Sequence, residues 1–421
     1  MPLIYHAATQ ISSERWVTKR RGVTVKLLHV SDLHIGKRVN NIPMLEDQRH
    51  ILQQLVEIAL DRQVSALLIA GDIYDKASPS AEAVALFDAF LSKLAASGLK
   101  VIAIPGNHDS SERIAYAQGL LEHQGVFFPP VYDGGPLEHV TLSDEHGDVE
   151  CWLIPFLKPG DVRRHFSDLE IGDDYSAALT AVLDACEIDT GVRNIALSHQ
   201  LVTACGIEPE RAQDEIKLGG IDNVDVSAYD AFDYVALGHV HRPQRIGRDT
   251  VRYSGSPLKY SFSEARYDKS AVLVTLGEKG ASDAVGECVS TELIPLVPLH
   301  DMREVSATLE ELIASAQDAG DSAGDYLHVT LTDEHPQLDA MRKIQEVFPN
   351  AMTVDYELSR ALVGASQPTR IALDPDELST IDLFASFYEE QTGKPMDEEQ
   401  KELVGKLVGE IEHTVARGEG E

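Results

Sequence analysis

Five short stretches of this 421-residue chain close on side chains that bind metal ions or carry protons. They are Ser31-Asp32-Leu33-His34, Gly71-Asp72-Ile73-Tyr74-Asp75, Gly106-Asn107-His108-Asp109, His199 and Gly238-His239-Val240-His241. Two divalent ions held about 3.5–4 Å apart need a carboxylate to bridge them, with imidazole, amide and carboxylate ligands around it. Such a pair binds a phosphate ester, makes water a stronger nucleophile and stabilises charge during an in-line displacement. Nitrogen and oxygen donors without thiolate suit manganese or iron, and leave zinc open. His108, next to Asn107, is placed to give a proton or hydrogen bond to the phosphate or leaving oxygen. Asp109 is expected to orient that imidazole, and Asp75 to serve as a carboxylate behind the ligands. Asp32 and His34 are expected to alternate along an extended segment. Glycines ahead of Asp72, Asn107 and His239 are expected to let the backbone turn sharply and approach closely.

Each stretch alone is ordinary. Asp-x-His occurs in surface turns, Gly-Asp is a common turn dipeptide, and His199 would pass for a hydrogen-bonded core histidine. What singles them out is what precedes them. VKLLHV (25–30), SALLIA (65–70), KVIAIP (100–105), NIALSH (194–199) and YVALGH (234–239) are apolar runs too short for helices, which predicts strands buried on both faces. Ligands of open α/β sheets gather at the carboxyl ends of strands, so five strands would aim Asp, Asn and His at one crevice. Ile51, Leu55 and Ala59 share one helical stripe and Ala83, Leu86, Phe90 and Leu94 another, which predicts an α/β layered domain. His29 lies inside the first run and reads as structural.

After about Glu292 the pattern changes. Helices are expected over 305–317 and 337–348 and strands near 326–332 and 351–357, making a small separate α/β unit. The segment 366–376 holds Pro368 and Pro375 and reads as a linker. Leu378, Ile381, Phe384 and Tyr388 form a further amphipathic stripe, and Leu403, Leu407 and Ile411 another. The domains are therefore expected at 25–290, 291–365 and 366–421, with 1–24 a disordered extension or an early start.

The net charge is −33, of which −18 lies from Asp301 onward, where 27 acids face 9 bases. A basic footprint for nucleic acid is missing from this balance, so metal or a basic partner would have to supply the attraction. Cys151, Cys186, Cys205 and Cys288 are far apart, as expected of free thiols in a reducing, cytoplasmic compartment. No apolar run is long enough to cross a bilayer. The chain contains no G-x-x-x-x-G-K-[ST], so an ATP dependence would come from another chain.

The D-x-H, G-D-x-x-D, G-N-H-D, H and G-H-x-H blocks together resemble the calcineurin-like metallophosphoesterase superfamily. HVSDLHIGKRVN (29–40), YSGSPLKYSFSEA (253–265) and IDLFASFYEEQTGKP (381–395) are similar to its bacterial SbcD-type nuclease subunits. The resemblance implies a layered β-sandwich flanked by helices, a small α/β capping domain and C-terminal helices. It implies one ion on Asp32, His34, Asp72 and His241 and a second on Asp72, Asn107, His199 and His239, both expected to be manganese. It implies that His108 is the catalytic histidine, supported by Asp109. It further implies a DNA exonuclease and endonuclease, paired as a homodimer and joined to an SbcC-like ATPase in a heterotetramer for end and hairpin processing in repair and recombination. The tail helices would dock on that partner. The segment 253–265 is expected to buttress the crevice. Two rival readings are a small-molecule phosphodiesterase or phosphatase with the same site, and a non-catalytic scaffold that has lost its ligands. All seven ligand positions are filled here, against the second rival.

Overall fold

A computed structural model of the chain describes residues 24–166, 168–212, 222–280 and 284–357, with 384–385, 388, 395–397, 400–401 and 403–406. Residues 1–23 of the N-terminal extension, the linker, and Leu378, Ile381, Leu407 and Ile411 of the tail stripes lie outside the described residues. The chain divides into two compact units, one ending at Asp301 and one starting at Met302.

The five apolar runs are strands: β1 (Lys26–Val30), β2 (Ala66–Ala70), β3 (Lys100–Ile104), β4 (Arg193–Ser198) and β5 (Tyr234–Leu237). They belong to two different six-stranded sheets. The first runs Val289–Pro295, Ser270–Leu276, β1, β2, β3, Val126–Phe127; the second runs Gln244–Ile246, Arg248–Tyr253, β5, β4, Gly147–Ile154, His139–Asp144. The strands β1, β2 and β3 are mutually parallel, as are β4 and β5. Leu27, Ala66, Leu68, Ile102 and Ile104 of the first sheet meet Leu153, Ile195, Leu197, Tyr234 and Ala236 of the second in one buried core. Alternate residues such as Leu28, Leu67 and Val101 are equally buried on the other face. That double burial is why the strands read as unbroken apolar runs.

The helical stripes form α1 (Leu45–Asp61) and α2 (Ala81–Ala96), which bury Ile51, Leu55 and Ala59, and Ala83, Leu86, Phe90 and Leu94. The start of α2 is set by Ser80, whose hydroxyl accepts from the Ala83 N–H. Among the described residues no helix is long and apolar enough to cross a membrane.

His29 is fully buried and ties the two sheets together. Its Nε2–H donates to the Leu237 carbonyl at 3.2 Å, and Nδ1 accepts from the Tyr234 hydroxyl at 2.9 Å. Burial drives its pKa down to about 3. A histidine held neutral in the fold but free to protonate when unfolded takes stability away as pH falls from about 6.5 toward 3. The expected loss between pH 7 and pH 5 is about 2 kcal/mol. Urea denaturation at both values, on wild type and His29→Leu, should show that much less pH dependence in the variant, despite its lower stability at pH 7.

The second unit holds three parallel strands, β6 (Met302–Ala307), β7 (Tyr326–Leu331) and β8 (Ala351–Tyr356), with α3 (Leu309–Ser315) and α4 (Ala340–Gln345). Leu309, Leu312, Leu327, Val329, Leu331, Ile344 and Phe348 form its core. The expected helix over 305–317 is corrected at its start, because 305–307 complete β6. The boundary has a local cause. Thr308 and Glu311 form a capping box that places the first helical turn at Leu309.

Candidate metal centre

Parallel pairing brings the strand ends into register before any side chain is considered. Val30 lies opposite Ile69 and Ile69 opposite Ala103, while Leu237 lies opposite Ser198. The chain then stays paired past the strands: Asp32 N–H donates to the Gly71 carbonyl at 3.0 Å and His34 N–H to that of Asp72 at 2.9 Å. The expectation of an extended Asp32–His34 segment is corrected here. The strand stops at Val30, and Asp32 (φ 54°), His34 (φ 43°) and Asp72 (φ 49°) have left-handed backbone, as does His239 (φ 98°). Such backbone costs roughly 1–3 kcal/mol per residue and persists where surrounding structure over-determines it.

Two of the glycines serve space rather than turning. A Cβ at Gly238 would lie 1.9 Å from the Ala70 carbonyl, and one at Gly106 2.2 Å from Asp72 Oδ1. Gly71 is the one with left-handed φ, 88°.

All seven expected ligands come together from the two sheets. His34 Nε2 is 3.2 Å from His241 Nε2 and 3.6 Å from Asp72 Oδ2. Asp72 Oδ2 is 3.3 Å from His199 Nε2, which is 3.1 Å from Asn107 Oδ1. Asn107 Oδ1 in turn is 3.0 Å from His239 Nδ1. Asp32, Asp72 and His199 place ligand atoms within 4.8 Å of one another, as do Asp32, His34 and His241. Asp72 Oδ2 therefore stands between the His34–His241 half and the His199–Asn107–His239 half. Its Oδ1 accepts the His108 N–H at 2.9 Å.

The hydrogen-bond pattern tests whether cations fit. In its neutral form His199 donates Nδ1–H to the Ala70 carbonyl at 2.8 Å and keeps a lone pair on Nε2. That lone pair faces two further acceptors, Asp72 Oδ2 and Asn107 Oδ1. His241 Nδ1–H donates to Glu264 at 3.1 Å, so its Nε2 lone pair points at His34. His34 Nδ1 is buried with no hydrogen-bond partner. Inward-facing lone pairs and two buried carboxylates suit divalent cations.

Without cations the charges lean on one another. Burial pushes the Asp32 carboxyl up, against the pull of His199 and His241. Burial acts the same way on Asp72, but His199, by charge and hydrogen bond, and then His34 outweigh it and hold that carboxyl well below the usual range. Burial pushes His199 down while the Asp72 carboxylate more than offsets it, leaving His199 at about 9.

His108 sits on the open side of this cluster, its ring 4.9 Å from that of His34. Its Nδ1–H donates to the Asp75 carbonyl at 2.9 Å, which leaves Nε2 as the nitrogen that can exchange a proton. The expectation that Asp109 orients this ring is corrected. The Asp109 carboxylate instead accepts three backbone N–H groups, from Ile73, Tyr74 and Gly106, at 2.9–3.0 Å. It clamps the loop after β2 to the loop after β3. Burial and the Asp72 charge still push its pKa up to about 6. The Asp75 carboxylate pairs with Lys37 at 3.0 Å and lies 3.9 Å from His34 Nδ1.

Residue-by-residue reading missed Glu264 and Gln48. Glu264 is fully buried; one oxygen accepts from His241, the other pairs with Lys269 at 2.5 Å. Lys269 also donates to the His241 carbonyl at 2.9 Å, so the pair grips His241 at both ends. Gln48 Nε2 donates to the His34 carbonyl at 2.7 Å and its oxygen accepts the Gly36 N–H. Glu264 lies in the 253–265 segment, which buttresses the crevice; Ser254 supports Ser31 from there as well. The one available signal was an acid in a stretch otherwise almost without charge. Carboxylates behind ligating histidines fix the tautomer and raise ligand basicity. Glu264→Gln should therefore weaken divalent-ion affinity about 10–100-fold in titration calorimetry; unaltered affinity would remove Glu264 from this role.

Residues 25–243 match the family model described as calcineurin-like phosphoesterase. Residues 298–392 match an SbcD C-terminal model described as type 5 capsule protein repressor C-terminal domain. The SbcD component of the SbcCD nuclease of Staphylococcus epidermidis is 28% identical over 391 residues, covering 92% of this chain and 99% of that protein. Among solved structures, a Thermus thermophilus protein is 13% identical with TM-score 0.33, covering 64% of this chain and 99% of its own. A dimetal phosphatase from Danio rerio is 12% identical with TM-score 0.34, covering 64% and 98%.

Proposed function

The chain belongs to the calcineurin-like phosphoesterase family and is of the SbcD type, and from that premise we propose that it is a nuclease subunit hydrolysing DNA phosphodiester bonds with two manganese ions. The observation that carries this reading is the position of Asp72 Oδ2 between two sets of inward-facing lone pairs. We assign one ion to Asp32, His34, Asp72 and His241, and the other to Asp72, Asn107, His199 and His239. When bound, such a pair supplies charge stabilisation for displacement at phosphorus and makes water a stronger nucleophile.

The chain's own residues do the rest. His108, held by the Asp75 carbonyl through Nδ1, presents Nε2 to give a proton to the leaving oxygen. Asp109 keeps Asn107 and Asp72 in one geometry by clamping their two loops. Glu264 and Lys269 hold His241 with its Nε2 turned inward. Left-handed backbone at Asp32, His34 and Asp72 folds the ligands back over the strand ends, so that little reorganisation remains when the ions enter.

The second unit serves, in this reading, as a capping domain. Residues 366–421 bind an SbcC-like ATPase in the cytoplasm, in a heterotetramer that also pairs two copies of this chain. The name of the Staphylococcus epidermidis relative and the SbcD C-terminal match over 298–392 support this part. The test is digestion of end-labelled linear duplex by the purified chain with Mn²⁺ and with EDTA. Metal-dependent shortening is the expected result. Cleavage of a nitrophenyl phosphodiester but of no DNA, with or without the ATPase, would move the chain to the small-molecule phosphodiesterases.

A further inference from the structure

A chain with a net charge of −33 must still bring a polyanion to its metal centre. Among the described residues of the first unit, one groove gathers arginines against that acidic background. Immediately after His241, an open groove of about 570 Å³ is lined by Arg242, Arg245 and Arg252, against only Glu210 and Asp249. The arginines come from two neighbouring antiparallel strands and the turn leading into them, in which Arg245 lies opposite Arg252. That register makes the row a product of the sheet rather than of a loop.

Each guanidinium is held in place. Arg242 lies over the Tyr267 ring at 5.2 Å and pairs with Glu210. Arg245 pairs with Asp249, whose carbonyl also accepts from Arg252 at 3.4 Å. The Nε of Arg252 is buried without a hydrogen-bond partner. The acidic partners do not close the groove. Glu210 and Asp249 are both about 71% exposed, and exposed ion pairs are weak because water and salt compete with them. A phosphate can replace either acid and gain a fork of two N–H donors from the same arginine.

We propose that this groove binds the phosphodiester backbone of the nucleic-acid strand on which the metal centre acts. The inference rests on the nuclease reading for what the strand is, and on the arginine row for where it lies. Arg242 follows the proposed ligand His241 directly in the chain, which ties the start of the groove to the backbone that carries the metal centre. Guanidinium contacts to phosphates position a strand without reading its sequence, so the groove favours strands irrespective of base.

The experiment compares the full chain with the double variant Arg242→Gln/Arg245→Gln. Binding of a short fluorescein-labelled single-stranded oligonucleotide is followed by anisotropy across a salt series, with Ca²⁺ in place of Mn²⁺ to prevent cutting. Two lost phosphate contacts at ~0.7 each should flatten the slope of log affinity against log salt by about 1.4. Affinity at low salt should fall roughly tenfold or more. A control, Arg163→Gln/Arg164→Gln, removes two exposed cations elsewhere on the same unit and should leave slope and affinity as they are. An unchanged slope in the groove variant overturns the proposal, and so does an equal loss in the control, which would make the effect one of net charge. If the groove variant weakens binding as expected but the wild type leaves DNA uncut in Mn²⁺ with and without the ATPase, the groove stands and the nuclease reading falls.

Discussion

Asp72→Asn should abolish Mn²⁺-dependent digestion of linear duplex DNA, lowering the rate by ~10³-fold or more, equivalent to about 4 kcal/mol of barrier. The reason lies in one oxygen. Asp72 Oδ2 is 3.6 Å from His34 Nε2 and 3.3 Å from His199 Nε2, so it belongs to both halves of the ligand cluster. An amide there keeps the shape and the Oδ1 contact to the His108 N–H but brings no charge to neutralise two divalent ions. The side chain is buried and its neighbours His199, His241 and His34 are held by Ala70, Glu264 and Gln48, so the cluster keeps its shape around the lost charge. Calorimetry with Mn²⁺ should show weaker uptake alongside the lost rate. A variant that keeps a tenth of wild-type activity would show that the ions, if bound, are not bridged by this residue.

The second large effect is expected at His108, and its signature is a split between substrates. His108→Gln should lower the rate on DNA by ~10²–10⁴-fold, the usual contribution of a positioned acid or base. Mn²⁺ uptake should be retained, because the ring is exposed and anchored by the Asp75 carbonyl, outside the seven-ligand chain of contacts. Nitrophenolate leaves without needing a proton, whereas a sugar alkoxide does not. The same variant should therefore lose far less activity on a nitrophenyl phosphodiester than on DNA. Equal losses on both would mean that His108 contacts the phosphate rather than the leaving oxygen. Loss of metal uptake would instead make it a ligand alongside His34 and Asp72, whose ligand atoms lie within 4.8 Å of its own.

These expectations reach back to different depths of the chain. The sequence alone determined the five strands and the residues at their ends, because both are local properties. An apolar run of five or six residues cannot be amphipathic at either period, so it is buried on both faces, and the polar residues that follow must leave the sheet at its edge. Periodicity likewise determined α1 and α2. It failed where two local signals overlapped: 305–307 continues a helical stripe by spacing but belongs to β6, and the capping box at Thr308 and Glu311 marks the true start.

Only the tertiary structure decided that β1, β2 and β3 lie in one sheet and β4 and β5 in another, since pairing between strands far apart in the chain leaves no mark on either strand alone. The same holds for the backbone of Asp32, His34 and Asp72. Left-handed φ is unfavourable for each residue in isolation and exists because paired strand ends impose it. Asp109 looked like a partner for its neighbour His108, yet its carboxylate serves three N–H groups of two loops, because buried donors must be satisfied from whatever lies nearest in space. Glu264 and Lys269 reach His241 across more than twenty residues for the same reason. Residue type declared which side chains could bind metal; the packing of two sheets decided which way each lone pair points.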